Sequence, residues 1–325
     1  MNFAEAVRRA GVEFLRDEPL AKHTTFRIGG PAEWFAAAAT LEQLETLAEV
    51  ALAYGVPLTV LGGGSNLLVS DAGIRGLVVA NQTRRHGPAA QFREQLQHPA
   101  LRDDHWVAES GVMLAGMART TTRSGLAGLE WAISIPGTVA GAVIGNAGAH
   151  GSDTAANLAW VLVRYPGCRR QVLTRDDLHY TYRSSRLREQ LLGPREQKRP
   201  VILAAGFALA QGDPVVLLHR ADENLARRRA SQPVEPSAGS IFRNPAGDFA
   251  GRLIESLGMK GHQIGGAQVS PRHANFIVNT GGATAADVVA LINLVRQRVF
   301  DATGHRLTPE ILFLGEWTTP PLSVL

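Results

Sequence analysis

Residues 61–68 read "LGGGSNLL" and place three consecutive glycines directly after an apolar run. Consecutive glycines lose much backbone entropy on folding, so we expect the triplet to have a specific use. A P-loop is excluded because the pattern G-x-x-x-x-G-K-[ST] does not occur in the sequence. A Rossmann loop is excluded because Leu67 stands where its third glycine is required, and because the residues that follow have the pattern of a strand.

The remaining use of the triplet is a backbone nest for an anion. Without side chains at Gly62, Gly63 and Gly64, consecutive backbone N–H groups can curl around a phosphate. The hydroxyl of Ser65 and the amide of Asn66 add two polar groups for the same oxygens. We therefore predict that residues 62–67 contact a phosphate group, with a plain turn as the alternative.

A second glycine-rich stretch, residues 134–151, reads "SIPGTVAGAVIGNAGAHG". Gly137, Gly141 and Gly145 recur every four residues and would share one face of a helix, with Pro136 in its first turn. A face without side chains admits either a planar ring system or a closely packed protein segment. Two glycine surfaces, one suited to pyrophosphate and one to a flat ligand, indicate a dinucleotide, and the missing Rossmann pattern favours FAD. The predicted contacts in this stretch are Ile135, Pro136, Gly137, Thr138, Gly141, Ala142, Ala147 and Gly148.

Composition limits the other function classes. The chain has 325 residues, 45% of them hydrophobic and 19% charged, with a formal net charge of +4. These values are typical of a folded soluble protein of about two domains. The densest basic cluster, residues 227–229, is too short for a nucleic-acid-binding arm. The single Cys168 excludes an internal disulfide, and no histidines and carboxylates have the spacing of metal ligands, so we assign no metal.

Residues 131–152 carry no charge and are long enough to cross a membrane. Their proline and their five glycines argue against a membrane span. The N-terminal residues lack the apolar core of a secretory signal. We therefore expect a cytoplasmic monomer that binds neither membranes nor nucleic acids and has no obligate protein partner.

Helical and strand patterns alternate in both halves of the chain, which indicates the α+β class. Residues 41–54 have helical periodicity after the capping pair Thr40 and Gln43, and residues 284–303 predict a second amphipathic helix. Residues 81–105 are polar and irregular and predict an elaborated loop without an assigned function. Residues 309–317 predict a buried strand.

Six motifs resemble those of the UDP-N-acetylenolpyruvoylglucosamine reductase family, the flavoenzymes of peptidoglycan precursor synthesis. In the order of the family they are LGGGSNLLVSD, IPGTVAGAVIGNAGAHG, YRSSR, AGSIFRNP, AGRLIESLGMKGHQIGGAQVSPRHANFIVN and PEILFLGEW. The resemblance extends from about Thr24 to Trp317 and implies an FAD-binding region of the vanillyl-alcohol-oxidase type with a smaller α+β substrate-binding domain. The compact AGSIFRNP and VSPRHANF segments are similar to the shorter subclass, which lacks an extra tyrosine-bearing loop.

The resemblance also implies a division into domains. An FAD-binding region would cover residues 1–213, with subdomains at roughly 1–80 and 81–213. A substrate-binding domain would cover residues 214–306. A C-terminal strand and tail at 307–325 would carry Glu310, and a return of this strand to the FAD-binding region is one alternative.

The reaction implied by the resemblance is the NADPH-dependent reduction of UDP-N-acetylglucosamine enolpyruvate to UDP-N-acetylmuramate through noncovalently bound FAD. Three catalytic positions carry over to this chain: Arg183 in YRSS, Ser240 in GSIF and Glu310 in PEI. Arg183 suits the negative charge that develops on the substrate carboxylate. Ser240 would protonate the carbanionic carbon, and Glu310 would act as a neutral acid or through hydrogen bonding, since a bare carboxylate would repel the substrate. Implied substrate contacts are Tyr182, Asn244, Arg272 and His273.

Three positions depart from the family pattern. Ala140 stands where glycine is usual, His150 where an aromatic residue is common, and Leu187 where phenylalanine often occurs. Two alternative functions are open. One is a flavin oxidase of the same fold, whose covalent flavin would need His150 or Cys168. The other is a non-catalytic protein that binds flavin or a UDP-sugar.

Overall fold

The computed structural model describes residues 2–193, 199–318 and 320–322. The chain divides into two compact units that alternate along the sequence. The first unit comprises Met1–Phe14, Ala36–Gly63 and Leu77–Arg228, and the second unit comprises Leu15–Phe35, Gly64–Gly76 and Arg229–Leu325. Both units contain helices and strands, which confirms the α+β class.

The α-helices are mostly short, and two of them exceed fifteen residues. They are α1 (Phe3–Arg9), α2 (Leu41–Ala53), α3 (Arg93–Leu96), α4 (Leu114–Arg123), α5 (Val139–Gly145), α6 (Arg186–Leu192), α7 (Pro214–Ser231), α8 (Ala250–Ser256) and α9 (Ala285–Thr303). Short 3-10 turns occur at Leu20–His23, Ala89–Phe92, Glu130–Ser134, Thr154–Ala156 and Asp176–Leu178.

The strands are also short. They are β1 (Phe14–Pro19), β2 (Pro31–Ala38), β3 (Leu58–Leu61), β4 (Leu67–Val69), β5 (Ile74–Asn81), β6 (His86–Pro88), β7 (His105–Glu109), β8 (Leu126–Ala127), β9 (Gly148–Ala149), β10 (Ser152–Asp153), β11 (Leu158–Arg164), β12 (Arg170–Thr174), β13 (Val201–Ala208), β14 (Ala210–Gln211), β15 (Ser237–Ser240), β16 (Gln263–Ile264), β17 (Ala267–Val269), β18 (Phe276–Asn279) and β19 (Leu312–Leu314). One sheet has the order β1-β2-β5-β3, in which β3 and β5 run parallel.

The first unit is built on a five-stranded sheet of order β12-β11-β13-β7-β6, in which all neighbouring strands are antiparallel. Successive residues of a strand point to opposite faces of the sheet. Val161 and Val163 of β11 belong to one buried apolar cluster with Val139 and Val143 of α5. The glycine-rich stretch around α5 therefore lies on that face of the sheet, and Leu162 points to the opposite face.

Residues 81–105 do not form the irregular loop that their composition predicts. They contain β6, which pairs with β7, followed by a 3-10 turn and α3. Phe92 and Leu96 of this segment are buried. The prediction is wrong because β6 depends on pairing with residues 106–108, and local composition does not report such a long-range contact.

The second unit contains a four-stranded antiparallel sheet of order β15-β18-β17-β16. Helix α9 confirms the helix predicted at 284–303, and its apolar stripe is buried with α8 and the sheet in one cluster. The buried residues of this stripe are Val288, Leu291, Ile292, Val295 and Val299. Strand β19 pairs in parallel with β4. It covers only three residues and is half-buried, so the strand predicted at 309–317 is shorter and less buried than expected.

Helix α2 confirms the helix predicted at 41–54. The hydroxyl of Thr40 accepts a hydrogen bond from the backbone N–H of Gln43 at 3.2 Å, as a helix cap does. Gly55 follows the helix with a φ of +65°, where glycine is favoured. The uncharged residues 131–152 fold into short elements, and no helix within the described ranges combines the length and apolarity that crossing a bilayer requires.

Candidate functional site

The glycine triplet follows β3 and is required by close packing. A Cβ atom on Gly62 would lie 2.5 Å from the hydroxyl oxygen of Thr138, and one on Gly63 would lie 3.0 Å from the Cα of Gly137. Gly64 has a φ of +61°, a conformation that strongly favours glycine. The two glycine-rich stretches of the sequence therefore meet in the first unit, at Gly62 and Gly63 on one side and Gly137 and Thr138 on the other.

Helix α5 begins later than predicted. Its N-cap is Thr138, whose hydroxyl accepts from the backbone N–H of Gly141 at 3.4 Å. Gly137 has a φ of +104° and precedes the helix, so Pro136 does not occupy the first turn and Gly137 does not share a helical face with Gly141. The prediction is wrong here because the cap at Thr138 competes successfully with the proline signal.

Gly141 and Gly145 differ from the triplet because close contacts with the described residues do not require them to be glycine. A Cβ atom on Gly141 would meet nothing closer than 3.8 Å, and one on Gly145 nothing closer than 4.0 Å. Gly141 is exposed, while its neighbour Ala142 is buried in the apolar core. Close protein packing thus explains Gly62 and Gly63 but not Gly141. An exposed helical face without side chains fits a flat ligand such as the flavin of FAD.

Asn146 ends α5 in the left-handed conformation, with a φ of +45°, and is buried. Its amide nitrogen donates to the carboxylate of Asp153 at 3.0 Å and to the carbonyl of Thr181 at 3.2 Å, and its amide oxygen accepts from Ala155 at 3.1 Å. We did not predict a role for this residue from the sequence. The available signal was an asparagine directly after a helix, a position where the left-handed conformation is common.

Ala147 and Gly148 continue the stretch after Asn146. The carbonyl of Ala147 accepts from the backbone and hydroxyl of Thr154 at 2.9 and 3.0 Å. Gly148 belongs to β9 and pairs with Asp153 of β10. These bonds fix the carbonyl groups that follow α5.

Arg183 is fixed to this same stretch. Its guanidinium donates to the carbonyl oxygens of Asn146 at 3.3 Å and of Gly148 at 2.6 Å. It also lies 5.2 Å from the ring centroid of Tyr182, which is 54% exposed. The two residues form the tip of a tight turn, and Arg183 has a φ of +56°, an uncommon conformation for a residue with a Cβ. The structure therefore brings Arg183 and the second glycine-rich stretch together.

Two hydroxyl groups hold the segment on either side of that turn. Tyr180 donates to the carbonyl of Val143 at 2.9 Å, and Ser185 donates to the carbonyl of Ile144 at 2.6 Å. Both acceptors belong to the last turn of α5, whose carbonyls lack partners within the helix. The turn that carries Arg183 is thus bound along the C-terminal end of α5.

Ser240 and Glu310 are close together in the second unit. Ser240 ends β15, where it pairs with Phe276. The residue after it, Ile241, accepts a hydrogen bond through its carbonyl from the backbone N–H of Glu310 at 2.7 Å. Glu310 falls within the strand predicted at 309–317 but lies outside β19, between an isolated bridge at Pro309 and the start of that strand.

Asn66, predicted to contact phosphate, makes bonds near Glu310. Its amide donates to the carbonyl of Glu310 at 3.4 Å, and its own carbonyl accepts from Leu312 at 3.0 Å. Leu67 pairs with Leu312 in the parallel ladder of β4 and β19. In the second unit, the residues after the triplet therefore support the segment that carries Glu310.

The predicted substrate contacts of the second unit all bond to protein groups. The side-chain oxygen of Asn244 accepts from the backbone of Ala250 at 3.1 Å, at the start of α8. The guanidinium of Arg272 donates to the carbonyls of Arg229 at 2.5 Å and Ala230 at 3.2 Å. These bonds give Asn244 and Arg272 structural roles in addition to any role in binding.

The ring of His273 contacts two residues that follow it in the chain. Its Nδ1 accepts from the backbone N–H of Asn275 at 3.2 Å, and its ring contacts Phe276 edge-on at 4.9 Å. Burial is the largest influence on its pKa and lowers it. The lowered pKa favours the neutral ring, and in that form a bond accepted by Nδ1 leaves the hydrogen on Nε2.

The two residues considered as covalent flavin anchors lie in different settings. Cys168 is in the turn between β11 and β12 and lines a cleft together with Leu162, on the sheet face opposite α5. That position separates it from the glycine-rich stretch. His150 is exposed in the turn between β9 and β10. Partial loss of hydration, followed by the charges of Arg227 and Arg228, lowers its pKa. Of the departures from the family pattern, Leu187 is fully buried in the core of the first unit.

Comparison with known proteins identifies both regions. The family model described as an FAD binding domain matches residues 32–166. The model described as the C-terminal domain of UDP-N-acetylenolpyruvoylglucosamine reductase matches residues 232–314. These matches confirm the FAD-binding region and the cofactor class, and they place Ser240 and Glu310 within the range of the C-terminal domain.

Whole-chain relatives agree with these matches. The chain is 44% identical to the UDP-N-acetylenolpyruvoylglucosamine reductase of Heliobacterium modesticaldum, over 94% of this chain and 91% of that protein. It is also 44% identical to the enzyme of that name from Synechococcus sp. strain WH7803, over 91% and 92% of the two chains. The crystal structure of the Thermus caldophilus enzyme superposes with a TM-score of 0.73 and 32% identity, over 93% of this chain and 99% of that one. The chain therefore belongs to the UDP-N-acetylenolpyruvoylglucosamine reductase family.

Proposed function

We propose that this protein reduces UDP-N-acetylglucosamine enolpyruvate to UDP-N-acetylmuramate, with NADPH as the source of electrons and noncovalently bound FAD as the carrier. Family membership over 94% of the chain carries this proposal. It favours the reductase over a flavin oxidase of the same fold and over a non-catalytic binding protein. The position of Cys168 on the opposite sheet face also supports a noncovalent flavin.

We infer that FAD is held by residues 62–67 and by the stretch from Ile135 to Gly148. The exposed face at Gly141 supports this assignment, because close packing against the described residues does not explain why that residue is glycine. When bound and reduced by NADPH, FAD supplies the hydride for the substrate. The residues of this chain then have to orient the enolpyruvyl group, stabilise its developing charge and deliver a proton.

Arg183 is proposed to bind the substrate carboxylate. A guanidinium has five N–H donors in a planar fork and can grip a carboxylate in bidentate fashion. Two of its bonds, to the carbonyls of Asn146 and Gly148, set the plane of the fork. Such a fixed cation stabilises negative charge without having to reorganise during the reaction.

Ser240 is proposed to donate the proton to the carbanionic carbon, and Glu310 to assist from the adjoining segment. A serine hydroxyl is a weak acid, but the carbanion is a strong base, so the transfer is downhill. Glu310 would act as a neutral acid or as a hydrogen-bond donor toward the same intermediate. The bond between the backbones of Ile241 and Glu310 supports joint action of the two residues.

The reductase assignment is tested by NADPH oxidation with and without UDP-N-acetylglucosamine enolpyruvate. We expect oxidation to depend on the substrate, and a rate that the substrate does not change would refute the assignment. Ser240→Ala should leave the reduction of FAD by NADPH intact and slow substrate turnover by about 10²–10⁴-fold, the usual contribution of a positioned proton donor. Ser237→Ala, at the other end of β15, is the matched control and should change neither step.

Several finer assignments stay predictions. The contacts of the UDP-sugar with Tyr182, Asn244, Arg272 and His273 are tested by the KM values of their alanine variants. The domain limits at 213 and 306 are tested by limited proteolysis. We also infer a cytoplasmic monomer, which light scattering of the purified protein and fractionation of cells would test.

A further inference from the structure

The backbone that follows Ser240 is held by one buried side chain, that of Asn275. The ladder between β15 and β18 ends at the pair of Ser240 and Phe276. Beyond this pair, the backbone carbonyl of Asn275 accepts from Ile241 at 2.8 Å. The side chain of Asn275 then makes two bonds to one residue: its oxygen accepts from the N–H of Phe242 at 2.9 Å, and its nitrogen donates to the carbonyl of Phe242 at 2.8 Å.

This arrangement lets the side-chain amide of Asn275 act as a continuation of the strand. A primary amide carries one acceptor and two donor hydrogens and can therefore pair with both polar groups of a backbone residue. Ile241 is fully buried, Phe242 is 2% exposed and Asn275 is 4% exposed. Water therefore cannot replace these bonds, and buried backbone groups require a partner.

The opposite side of the same segment carries Glu310. Ile241 accepts from the N–H of Glu310 at 2.7 Å, and Arg243 donates to the carbonyl of Thr308 at 2.9 Å. Residues 241–243 thus lie between Asn275 on one side and residues 308–310 on the other. A shift of this middle segment would move Ser240, which precedes it, and Glu310, which is bonded to it.

We propose that Asn275 is a positioning residue of the reduction: its side-chain amide fixes the segment that sets Ser240 and Glu310 relative to each other. This inference rests on the proposed function. Only asparagine satisfies both groups of Phe242 from this position, because aspartate offers no amide hydrogen and the longer glutamine would displace the segment. Since misplacement of a reacting group by about 1 Å can cost about 10²-fold in rate, the chemical step should respond to the loss of one bond.

The test separates the two half-reactions of the FAD-loaded enzyme by stopped-flow measurement of flavin absorbance. Asn275→Asp keeps the size of the side chain and the acceptor for Phe242 but removes the donor. We expect its flavin to be reduced by NADPH within about twofold of the parent rate, while reoxidation by the enolpyruvyl substrate slows by about 10²-fold. The solvent deuterium isotope effect on reoxidation should rise, because proton delivery becomes slower, and a purely structural defect would not raise it.

Asn279→Asp is the matched control. Asn275 directly precedes β18, and Asn279 is the last residue of that strand. The amide nitrogen of Asn279 donates to the carbonyl of Phe26 at 3.1 Å, and its amide oxygen accepts from Gly281 at 2.9 Å. It bonds to backbone groups in the same way but away from residues 241–243. Its replacement should leave both half-reactions within about twofold of the parent.

Asn275→Ser provides a second variant with a smaller side chain. Equal slowing of both half-reactions, or unchanged reoxidation in a variant that holds FAD, would overturn the proposal. Loss of FAD and of a cooperative thermal transition in both variants would assign Asn275 to folding and would overturn it as well. A parent enzyme whose flavin is not reoxidised by the substrate would instead refute the proposed function, so the two failures are distinguishable.

Discussion

Arg183 in the first unit is held through its own side chain, whereas Ser240 and Glu310 in the second unit belong to segments joined by backbone bonds. The Arg183 guanidinium bonds to two carbonyls after α5, and its backbone has the uncommon φ of +56°. In the second unit, the bonds that fix the site connect Ile241 with Asn275 and with the backbone of Glu310. The two units thus hold these predicted catalytic residues in two different ways.

Because of this difference, substitutions of Ser240 and of Arg183 have different structural consequences. Replacing Ser240 leaves the backbone bonds around it in place, so a loss of rate reports on the hydroxyl itself. Replacing Arg183 removes the cation and also the two side-chain bonds that join its turn to the carbonyls of Asn146 and Gly148. A change in rate in an Arg183 variant can therefore come from the lost cation or from a displaced turn, and a second variant is needed to distinguish them.

The largest effect in this comparison is expected from Arg183→Ala. The loss of a fixed cation at the developing charge should slow flavin reoxidation by about 10²–10³-fold, the usual cost of removing one such group. Arg183→Gly should slow the reaction equally, because it also lacks the cation. Glycine adopts a positive φ freely, however. Arg183→Gly should therefore be more stable to urea than Arg183→Ala by about 1 kcal/mol.

The rates and stabilities of these two variants test the roles of the cation and of the turn separately. Recovery of rate in the glycine variant relative to alanine would show that the turn, and not the cation, limits the reaction. Equal stability of the two variants would show that the positive φ of Arg183 is relaxed in the protein, contrary to the observed backbone.

Replacing either of two glycines in the first unit should change stability and FAD affinity by a smaller factor. The added Cβ atom of Gly141→Ala would lie 3.8 Å from the Thr138 hydroxyl oxygen, an ordinary contact, and the change replaces a helical glycine, so the FAD-free protein should gain about 0.5–1 kcal/mol in unfolding free energy. If the flavin lies on that face, the same variant should bind FAD about tenfold more weakly, since a methyl group would separate the two surfaces. Fluorescence titration of the apoprotein with FAD measures the affinity.

Gly62→Ala is the opposite case and serves as the comparison variant. Its Cβ atom would lie 2.5 Å from the Thr138 hydroxyl oxygen, so this change should lower the stability of the FAD-free protein as well as its affinity. Unchanged FAD affinity in Gly141→Ala would contradict the proposed flavin face.

The sequence predicted the helices better than the loops around the site. Helices α2 and α9 have strong local signals, namely a capping residue, an apolar period and a terminal glycine, and both were predicted within two residues. The segment 81–105 and the start of α5 were predicted wrongly. In both, a competing contact decides the structure: pairing with β7 in the first case, and the side-chain cap of Thr138 in the second.

The hydrogen bonds made by Asn146 and Asn275 could not be predicted from the sequence. For Asn146 the sequence offers only the signal of an asparagine directly after a helix, and nothing local distinguishes Asn275 from a turn residue. Their bonds reach Thr181 and Phe242, which are more than thirty residues away. Family motifs indicated Arg183, Ser240 and Glu310, but only the structure reveals what holds them.

The smallest expected effect concerns pH and compares the histidines of the two units. Burial is the largest influence on the pKa of His273 in the second unit and lowers it; a backbone hydrogen bond and Glu255 oppose this shift, whereas the charge of Lys260 adds to it. Because the unfolded chain binds the proton more readily, the stability from this residue is complete above its unfolded pKa of about 6.5 and is lost as the pH falls below it. His273→Asn keeps an acceptor for Asn275 without titrating, so its urea stability should fall less between pH 7 and 5. The difference should stay below about 1 kcal/mol, because the ring is partly exposed.

In the first unit, His86, His98 and His105 have pKa values lowered mainly by burial, so most of the acid sensitivity should persist in the variant. An unchanged pH profile would show that His273 contributes nothing to it, whereas a completely flat one would place the whole acid response in the second unit.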